Sequence, residues 1–250
     1  MTAPALVLVA HGTRSSKGVQ MIAALAEAVS KELGAGISGR GTTPTPRVRT
    51  AFVDVLGPSP AEVLRGLVTP SGKFESAVVV PAFLASGYHV YQDVPREVAD
   101  SAHPAVVVTA AMGPDRALAR IMAVRLRAAG WGPGDAVVFA AAGSSDARAR
   151  ADIRRAAALL AEYLGAPVRI GYVATGAPRI PEVVAELRAT GARRVLIASY
   201  LLAHGLFHQR LSEAGADGVA EPIGVHPAAV RLLADRYRTA AREMVRVRAR

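Results

Sequence analysis

Short apolar runs alternate with helical patterns along the whole chain. The runs are rich in Val, Ala, Leu and Ile, and Gly, Pro or charged residues bound them, which is typical of strands buried on both faces. The predicted strands are Ala5–Ala10, Val48–Val55, Ser76–Phe83, Ala105–Ala110, Ala136–Ala141, Val168–Ala174, Arg194–Leu202 and Gly218–Ala220. The predicted helices are Gly18–Leu33, Pro60–Val68, Pro114–Ala129, Asp146–Leu164, Pro181–Thr190 and Pro227–Val247. This alternation predicts an α/β fold in which parallel sheets are flanked by helices.

The same unit occurs twice in the chain. Leu6–Arg14 and Val137–Ser145 each consist of an apolar run that ends in X-Gly-Ser/Thr and leads into a helical pattern. The turn-rich stretch Gly130–Asp135 lies just before the second copy and is a natural boundary. We therefore predict two similar α/β halves, 1–130 and 131–250, each with its own parallel sheet and with a cleft between them.

Three polar residues lie at or just after successive strand ends in the first half. His11 ends the first strand, Asp54 lies near the end of the second, and His89 follows the third within a few residues. In open parallel sheets, ligands bind outside the carboxyl ends of the strands. Imidazole suits iron, cobalt, nickel and zinc, and a carboxylate adds negative charge. The pattern predicts a divalent-metal site built from His11, Asp54 and His89.

The second copy replaces all three of these polar residues with apolar ones. Under the repeat alignment the matching positions are Ala142, Ala174 and Phe207. Losing the three together indicates that they act as one functional unit and that the metal site belongs to the first half alone. A shift of one residue would instead place His208 opposite His89, and this alternative stays open.

The remaining histidines fall into two groups. His204 and His208 have the spacing of two residues on one helix face, but no acidic residue close in sequence completes a metal pattern. His103 and His226 each precede a proline, and we expect them to be surface or hydrogen-bonding residues.

Several short polar residues are expected to cap helices. Ser144, Ser145 and Asp146 precede a long helical pattern and are expected to cap it, or to bind an anionic group at its N-terminus. Asp93 is expected to cap a short helix, and Asp54 has the alternative of closing the turn before Gly57.

Charge and composition narrow the possible partners. The chain of 250 residues has a formal net charge of +10, which favours either an acidic partner or an arginine-rich solvated surface. Only 5% of residues are aromatic and no nucleic-acid-binding signature is present, so we expect no nucleic acid partner. The lack of cysteine fits a cytoplasmic protein, and no apolar run is long enough to predict a membrane span.

Five motifs together resemble a known family. They are His11-Gly12-Thr13-Arg14, Phe52-Val53-Asp54, the stretch Pro81–Val90 followed by Asp93-Val94-Pro95, Ala141–Asp146, and Ser199–Gly205. On these motifs the chain resembles the class II tetrapyrrole chelatases, and more specifically the long, fused sirohydrochlorin chelatases of the CbiX/SirB type. The histidine-bearing motif after the third strand is the most specific of the five.

The resemblance implies insertion of a divalent metal, Co²⁺ or Fe²⁺ with Ni²⁺ as a further candidate, into sirohydrochlorin for sirohaem or cobalamin synthesis. It implies that His11 and His89 bind metal and accept protons, without an organic cofactor. Asp54 stands where the family often has Glu, so its shorter side chain is expected to act through water. The residues expected to bind the acidic tetrapyrrole are Arg14, Ser86, Gly87, Tyr88, Ser144, His204 and His208. We expect a monomer or a homodimer.

Two other functions use similar residues. A histidine phosphatase also opens with a strand and a His-Gly pair, but it places Arg directly before the His, where this chain has Ala10. A non-catalytic metal- or tetrapyrrole-binding protein would use the same residues as a chelatase, and the sequence does not separate the two.

Overall fold

The computed structural model describes residues 3–35 and 45–248, and it contains eight strands and eight α-helices within these ranges. The strands are β1 Ala5–His11, β2 Val48–Val53, β3 Ala77–Pro81, β4 Val106–Val108, β5 Ala136–Gly143, β6 Val168–Thr175, β7 Val195–Tyr200 and β8 Gly218–Val219. The helices are α1 Ser16–Ala35, α2 Pro60–Arg65, α3 Val94–Asp100, α4 Arg116–Ala128, α5 Ala147–Leu164, α6 Ile180–Ala189, α7 Leu206–Ser212 and α8 Pro227–Arg248. The surface loop predicted at Gly34–Arg47 lies largely outside the described residues.

The strands form two parallel sheets of four strands each. The order in the first sheet is β2-β1-β3-β4, and the order in the second is β6-β5-β7-β8. All six neighbouring pairs are parallel. Helices connect most of the strands, so the predicted α/β fold with two parallel sheets is confirmed.

The central strand of each sheet is buried because its side chains are apolar on both faces. Every side chain from Ala5 to Ala10 in β1 has no exposed surface. Alternate residues of β1, including Val7 and Val9, pack with Leu64 of α2 and Val94 of α3 in one core cluster. Burial of the strand on both faces is what a continuous apolar run predicts for a parallel sheet. The first polar side chain of β1 therefore comes at the strand's carboxyl end.

The second half repeats local bonds of the first at matching positions. The backbone N–H of Phe52 donates to Pro58 O over 2.9 Å, and that of Tyr172 donates to Pro178 O over 3.0 Å. At the helix that follows, the N–H of Ser59 donates to the Glu62 carboxylate in the first half. In the second half, the N–H of Arg179 donates to Glu182 in the same way over 2.8 Å. The internal repeat therefore extends to the capping of α2 and α6.

Contacts divide the chain into two compact units that do not follow the repeat boundary. The first unit takes in the described residues up to Phe83, then Tyr88–Met112 and the residues from Ala229 onward, and the second takes in Leu84–Gly87 and Gly113–Ala228. Helix α8 belongs to the first unit from Ala229 onward, and within that unit the hydroxyl of Tyr237 donates a hydrogen bond to Pro4 O over 2.6 Å. The predicted halves, 1–130 and 131–250, follow the repeat in the sequence. The compact units differ from them, because Leu84–Gly87 and the residues from Gly113 to 130 fall in the second unit and those from Ala229 onward fall in the first.

Two short helical segments were not predicted as helices. A π-helical turn at His89–Asp93 runs directly into α3, and α7 follows Gly205. Both segments are short and follow Gly-containing loops, so no long apolar period marks them. Within the described part of the chain, no helix is long and apolar enough to cross a membrane.

Candidate metal centre

His11 is the last residue of β1 and the first whose side chain reaches solvent. Its side chain is 49% exposed, directly after six fully buried residues. The ring Nδ1 lies 2.7 Å from Gly12 O, and since a carbonyl oxygen only accepts, Nδ1 is the donor. A neutral His11 therefore presents the lone pair of Nε2 outward, as a metal ligand or base requires.

Asp54 is held beside His11 by a close approach of two backbones. A Cβ added to Gly12 would lie 2.1 Å from Asp54 O, so only glycine fits there. Asp54 has a φ of 65°, a left-handed conformation that Asp and Asn tolerate better than most residues. Its Oδ1 accepts from the N–H of Val55 over 2.8 Å. Its Oδ2 lies 4.0 Å from His11 Nε2. At that distance a water molecule or ion could link the carboxylate to the imidazole.

His89 begins the π-helical turn, and that turn controls where its ring points. Its Nδ1 lies 2.6 Å from Asp93 Oδ2, four residues along the chain. The other oxygen of Asp93 pairs with Arg96 over 2.8 Å. Since an ionised carboxylate only accepts, the Nδ1–H of His89 is the donor and Nε2 carries the lone pair. A carboxylate behind an imidazole is the usual means of orienting a metal-binding histidine.

The structure brings the two imidazoles together. The ring centroids of His11 and His89 lie 4.9 Å apart with the rings nearly perpendicular, at 87°. Phe83 stacks on the ring of His89, with centroids 6.1 Å apart. The sequence-predicted set of His11, Asp54 and His89 therefore lies at one edge of one sheet.

The arrangement is open rather than closed. In the described ranges, no group of three or more His, Asp or Glu side chains is already placed to hold a metal ion. Two imidazole nitrogens with a carboxylate nearby leave most coordination positions unfilled.

Asp93 is a functional candidate for which the sequence pattern predicted a different role, that of a helix cap. We expected it to cap a short helix, but its side chain makes no capping hydrogen bond there. Instead it is mostly buried, with its side chain 11% exposed, and bonds to His89 and Arg96. The four-residue spacing from His89, which places both on one helix face, was the available signal.

Two of the expected substrate-binding residues lie near the two imidazoles. Arg14 is close to His11 in sequence, and Tyr88 is next to His89. Arg14 is exposed and makes no hydrogen bond or ion pair with the described residues. Tyr88 is 57% exposed, and its ring lies 6.1 Å from that of His89. Both side chains are thus available to a ligand that reaches His11 and His89.

Ser86, Gly87 and Ser144 lie together in the second unit. The N–H of Ser86 donates to Asp152 of α5 over 2.8 Å. A Cβ on Gly87 would lie 3.6 Å from Ser144 Oγ and 3.1 Å from the Ala149 Cβ, so the glycine permits close packing. The three residues therefore form part of the loop structure at the start of α5.

Asp146 caps α5, as the sequence predicted. Its Oδ1 accepts from the N–H of Arg148 over 2.8 Å, and Ser144 Oγ accepts from the N–H of Asp146. The Arg148 guanidinium and N–H lower the pKa of the Asp146 carboxyl. The N-terminus of α5 is thus already capped by the carboxylate of Asp146.

His204 and His208 lie together in the second unit, and an acidic residue pairs with His204. Their ring centroids are 4.7 Å apart, and His204 Nε2 lies 2.7 Å from Glu221 Oε2. No local pattern indicates this partner, because Glu221 follows β8, well beyond His208 in the chain. The tertiary structure thus adds an acidic partner to His204 that lies far from the pair in sequence.

The other two histidines have structural contacts. His103 is 8% exposed, and its Nδ1 accepts from the N–H of Ala105 over 3.3 Å. Burial lowers its pKa. His226 accepts from the N–H of Ala228 at the start of α8. Both contacts agree with the expectation that these residues form hydrogen bonds.

Strand register supports the alignment of Phe207 with His89. Ala5 pairs with Ala77 in the first sheet, and Ala136 pairs with Val195 in the second. Carrying that correspondence forward without insertion aligns Gly87 with Gly205, and so places Phe207 opposite His89. The one-residue shift that would align His208 instead has no support from the sheets.

Solved structures share this fold along nearly the full chain. SirB from Bacillus subtilis with Fe³⁺ has a TM-score of 0.78 at 23% identity, covering 96% of each chain. SirB from Bacillus subtilis subspecies spizizenii in complex with cobalt has a TM-score of 0.72 at 20% identity, covering 97% of this chain and 96% of that one. CbiX, described as the terminal enzyme for biosynthesis of siroheme in denitrifying bacteria, has a TM-score of 0.67 at 25% identity, covering 94% and 99%. The fold is that of the chelatases.

A profile of the CbiX family matches the chain twice, over residues 5–129 and 136–240. The chain therefore belongs to the CbiX family. A search of curated proteins found no match. The two matched ranges correspond to the two copies of the repeat.

Proposed function

We propose that the protein inserts a divalent metal, Co²⁺ or Fe²⁺, into sirohydrochlorin. The observation that carries the proposal is the pair of imidazoles of His11 and His89, 4.9 Å apart, each with Nδ1 committed to an oxygen and Nε2 free. Membership of the CbiX family supports it. So do the fold relatives, one solved with Fe³⁺, one with cobalt, and one described as an enzyme of siroheme biosynthesis.

Both imidazoles have a role in the proton balance of the reaction. Insertion of M²⁺ into the macrocycle replaces two pyrrole N–H protons, so two protons must leave the ring. Neutral His11 or His89 accepts a proton at Nε2 after passing its metal to the ring nitrogens, because the nitrogen that held the metal is then vacant. Asp93 keeps the His89 ring oriented, with Nε2 available, through its hydrogen bond at Nδ1.

Asp54 supports the same site from the neighbouring strand. Its carboxylate is 61% exposed and lies 4.0 Å from His11 Nε2. We assign it a water-mediated role, in which it attracts the dication and accepts a proton through the bridging water. The participation of Asp54 in metal binding thus stays a prediction, and we expect it to act through a water molecule.

An acidic tetrapyrrole is the substrate class that fits the chain's charge. Sirohydrochlorin carries several carboxylates, and the chain has a net charge of +10. Exposed Arg14 is available to clamp a carboxylate, and the half-exposed ring of Tyr88 offers an apolar surface beside His89. Ser86, Gly87 and Ser144 stay candidates for the substrate surface in the second unit.

A histidine phosphatase does not fit the first strand. Such an enzyme needs an Arg directly before the histidine, aimed at the phosphate. Here that position is Ala10, which has no exposed surface in the middle of a sheet. A cation at that position would be buried without a partner, at a high cost in free energy.

The test is an insertion assay with the purified chain, sirohydrochlorin and either Co²⁺ or Fe²⁺ under anaerobic conditions. Absorbance spectra follow the metallated macrocycle, with the spontaneous reaction as the reference. We expect a rate well above that reference. A rate no faster than the reference, with tetrapyrrole still bound, would support a non-catalytic binding protein instead. A faster rate with Fe²⁺ would favour sirohaem synthesis, and a faster rate with Co²⁺ would favour cobalamin synthesis. Light scattering measures the mass in solution and so distinguishes a monomer from a homodimer.

A further inference from the structure

The second unit contains another pair of histidines with the chemistry of a metal site. His204 follows β7 and His208 lies in α7, and their ring centroids are 4.7 Å apart at 75°. The side chain of His204 is 48% exposed, so an ion from solvent can reach it. Neither residue occupies the position of His11 or His89 in the repeat, since Phe207 and Ala142 stand there. This pair is therefore a separate feature of the second half.

The hydrogen bonds of the pair decide which nitrogens are free. His204 Nε2 lies 2.7 Å from Glu221 Oε2, and His208 Nε2 lies 3.2 Å from Ala220 O. A carboxylate and a carbonyl can only accept, so in each ring Nε2 is the donor. Neutral His204 and His208 consequently both carry their lone pair on Nδ1. In the first unit the arrangement is the reverse, with both Nδ1 atoms donating and both Nε2 atoms free.

The two oxygen partners are held in place by the sheet. The N–H of Ala220 donates to Ile197 O of β7 over 2.8 Å, and the N–H of Ile223 donates to Leu201 O over 2.9 Å. The segment that carries Glu221 is thus fixed alongside the strand that precedes His204. A carboxylate and a carbonyl fixed behind two imidazoles are the outer partners that orient metal-binding histidines.

We propose that His204 and His208 bind a second divalent transition-metal ion, such as Co²⁺ or Ni²⁺, through their Nδ1 atoms. Borderline divalent ions prefer imidazole nitrogen, and the charge of Glu221 offsets that of the ion. A carboxylate of the substrate is a poorer partner, because His204 already pairs with a protein carboxylate and neutral Nδ1 atoms repel an anion. The site extends beyond the proposed function, which needs only His11 and His89.

Counting bound metal with variants tests the proposal. The full chain is dialysed against Co²⁺, and separately against Ni²⁺, and bound metal is measured per chain. One variant combines His204→Gln with His208→Gln, because glutamine can still donate to Glu221 and Ala220 and so preserves the fold. A second combines His11→Gln with His89→Gln. His226→Asn is the matched control, since asparagine can still accept from the N–H of Ala228. Circular dichroism and thermal unfolding confirm folding of each.

We expect two ions in the wild type and the control, and one in each double variant. If the number of bound ions falls below the wild-type value only in the His11/His89 variant, the second site is wrong and the proposed function stays intact. A count that falls only in the His204/His208 variant would support the second site and contradict the first. Glu221→Gln should weaken the second site by roughly 10–100-fold, as loss of an outer carboxylate does in other metal sites. Unchanged affinity in that variant would contradict the assigned role of Glu221.

Discussion

The Nδ1 atom of His89 lies 2.6 Å from Oδ2 of Asp93, and the side chain of Asp93 is 11% exposed. The carboxylate therefore fixes the ring from behind and leaves Nε2 as the only nitrogen that can meet a metal or a proton. Arg96 holds the other oxygen over 2.8 Å, which stops the carboxylate from rotating away. The reactivity of His89 thus depends on a residue that need not touch the substrate.

Asp93→Asn should slow metal insertion by roughly 10–100-fold with the fold retained, because a neutral amide orients the His89 ring less firmly than a carboxylate does. The measurement is the insertion rate over a series of metal concentrations, so that kcat and the KM for the metal are resolved separately. Asp100→Asn, in the exposed last turn of α3, is the matched control. A normal kcat and a normal KM for the metal in Asp93→Asn would contradict this positioning role.

His11→Ala and His89→Ala should each lower the insertion rate by at least about 100-fold, since each removes both a ligand and a base. Both side chains are partly exposed, His11 at 49% and His89 at 34%, so thermal unfolding should change little. Absorbance assays at saturating sirohydrochlorin measure the effect, and His226→Asn serves as the histidine control. Near-normal rates in both alanine variants would mean that the site is placed wrongly.

Asp54→Asn should lower the rate by roughly 10–100-fold by removing the negative charge near the ion. Asparagine tolerates the φ of 65° at this position, so the backbone should stay as it is. The rate should be measured over a series of metal concentrations, because a lost attraction for the dication appears first when metal is limiting. An unchanged dependence on metal would exclude the water-mediated role.

Gly12→Ala should destabilise the protein by about 1–3 kcal/mol, because the new Cβ would lie 2.1 Å from Asp54 O and must push the backbone aside. The same displacement moves Asp54 away from His11, so insertion should slow as well. Urea unfolding gives the free energy. Gly66→Ala is the control, since its Cβ would meet only an ordinary contact at 3.5 Å. Equal stability in the two variants would contradict this explanation of Gly12.

Stability should fall in acid partly because of His103. Burial lowers the pKa of His103 in the folded state from its ordinary value of 6.5. The unfolded chain therefore takes up the proton first as pH falls, so this contribution is fully present above about pH 6.5 and is lost below it. Urea unfolding at about pH 8 and about pH 5 measures the loss. His103→Asn keeps an acceptor for Ala105 but does not titrate, so its loss should be smaller. An equal loss would assign the acid sensitivity to other groups.

The elements that carry the site could be predicted from local sequence because hydrophobic burial acts residue by residue along the chain. Six fully buried residues followed by His11 placed that histidine at a strand's carboxyl end, and the parallel sheet then brought the loops after β1, β2 and β3 to one edge. The repeat, and the absence of polar counterparts in its second copy, were likewise visible in the order of residues alone.

Other features depended on distances that no local pattern encodes. The pairing of Glu221 with His204 joins the loop after β8 to the loop after β7, and the parallel pairing of those two strands brings them together. Asp93 could serve as a cap or as a partner of His89, and only the π-helical turn decided which, because it sets the direction of both side chains. Helix α8 joined the first unit through bonds to residues at the opposite end of the chain. Sequence alone therefore determined the elements and the ends of the strands, whereas the side-chain partners were decided by long-range packing.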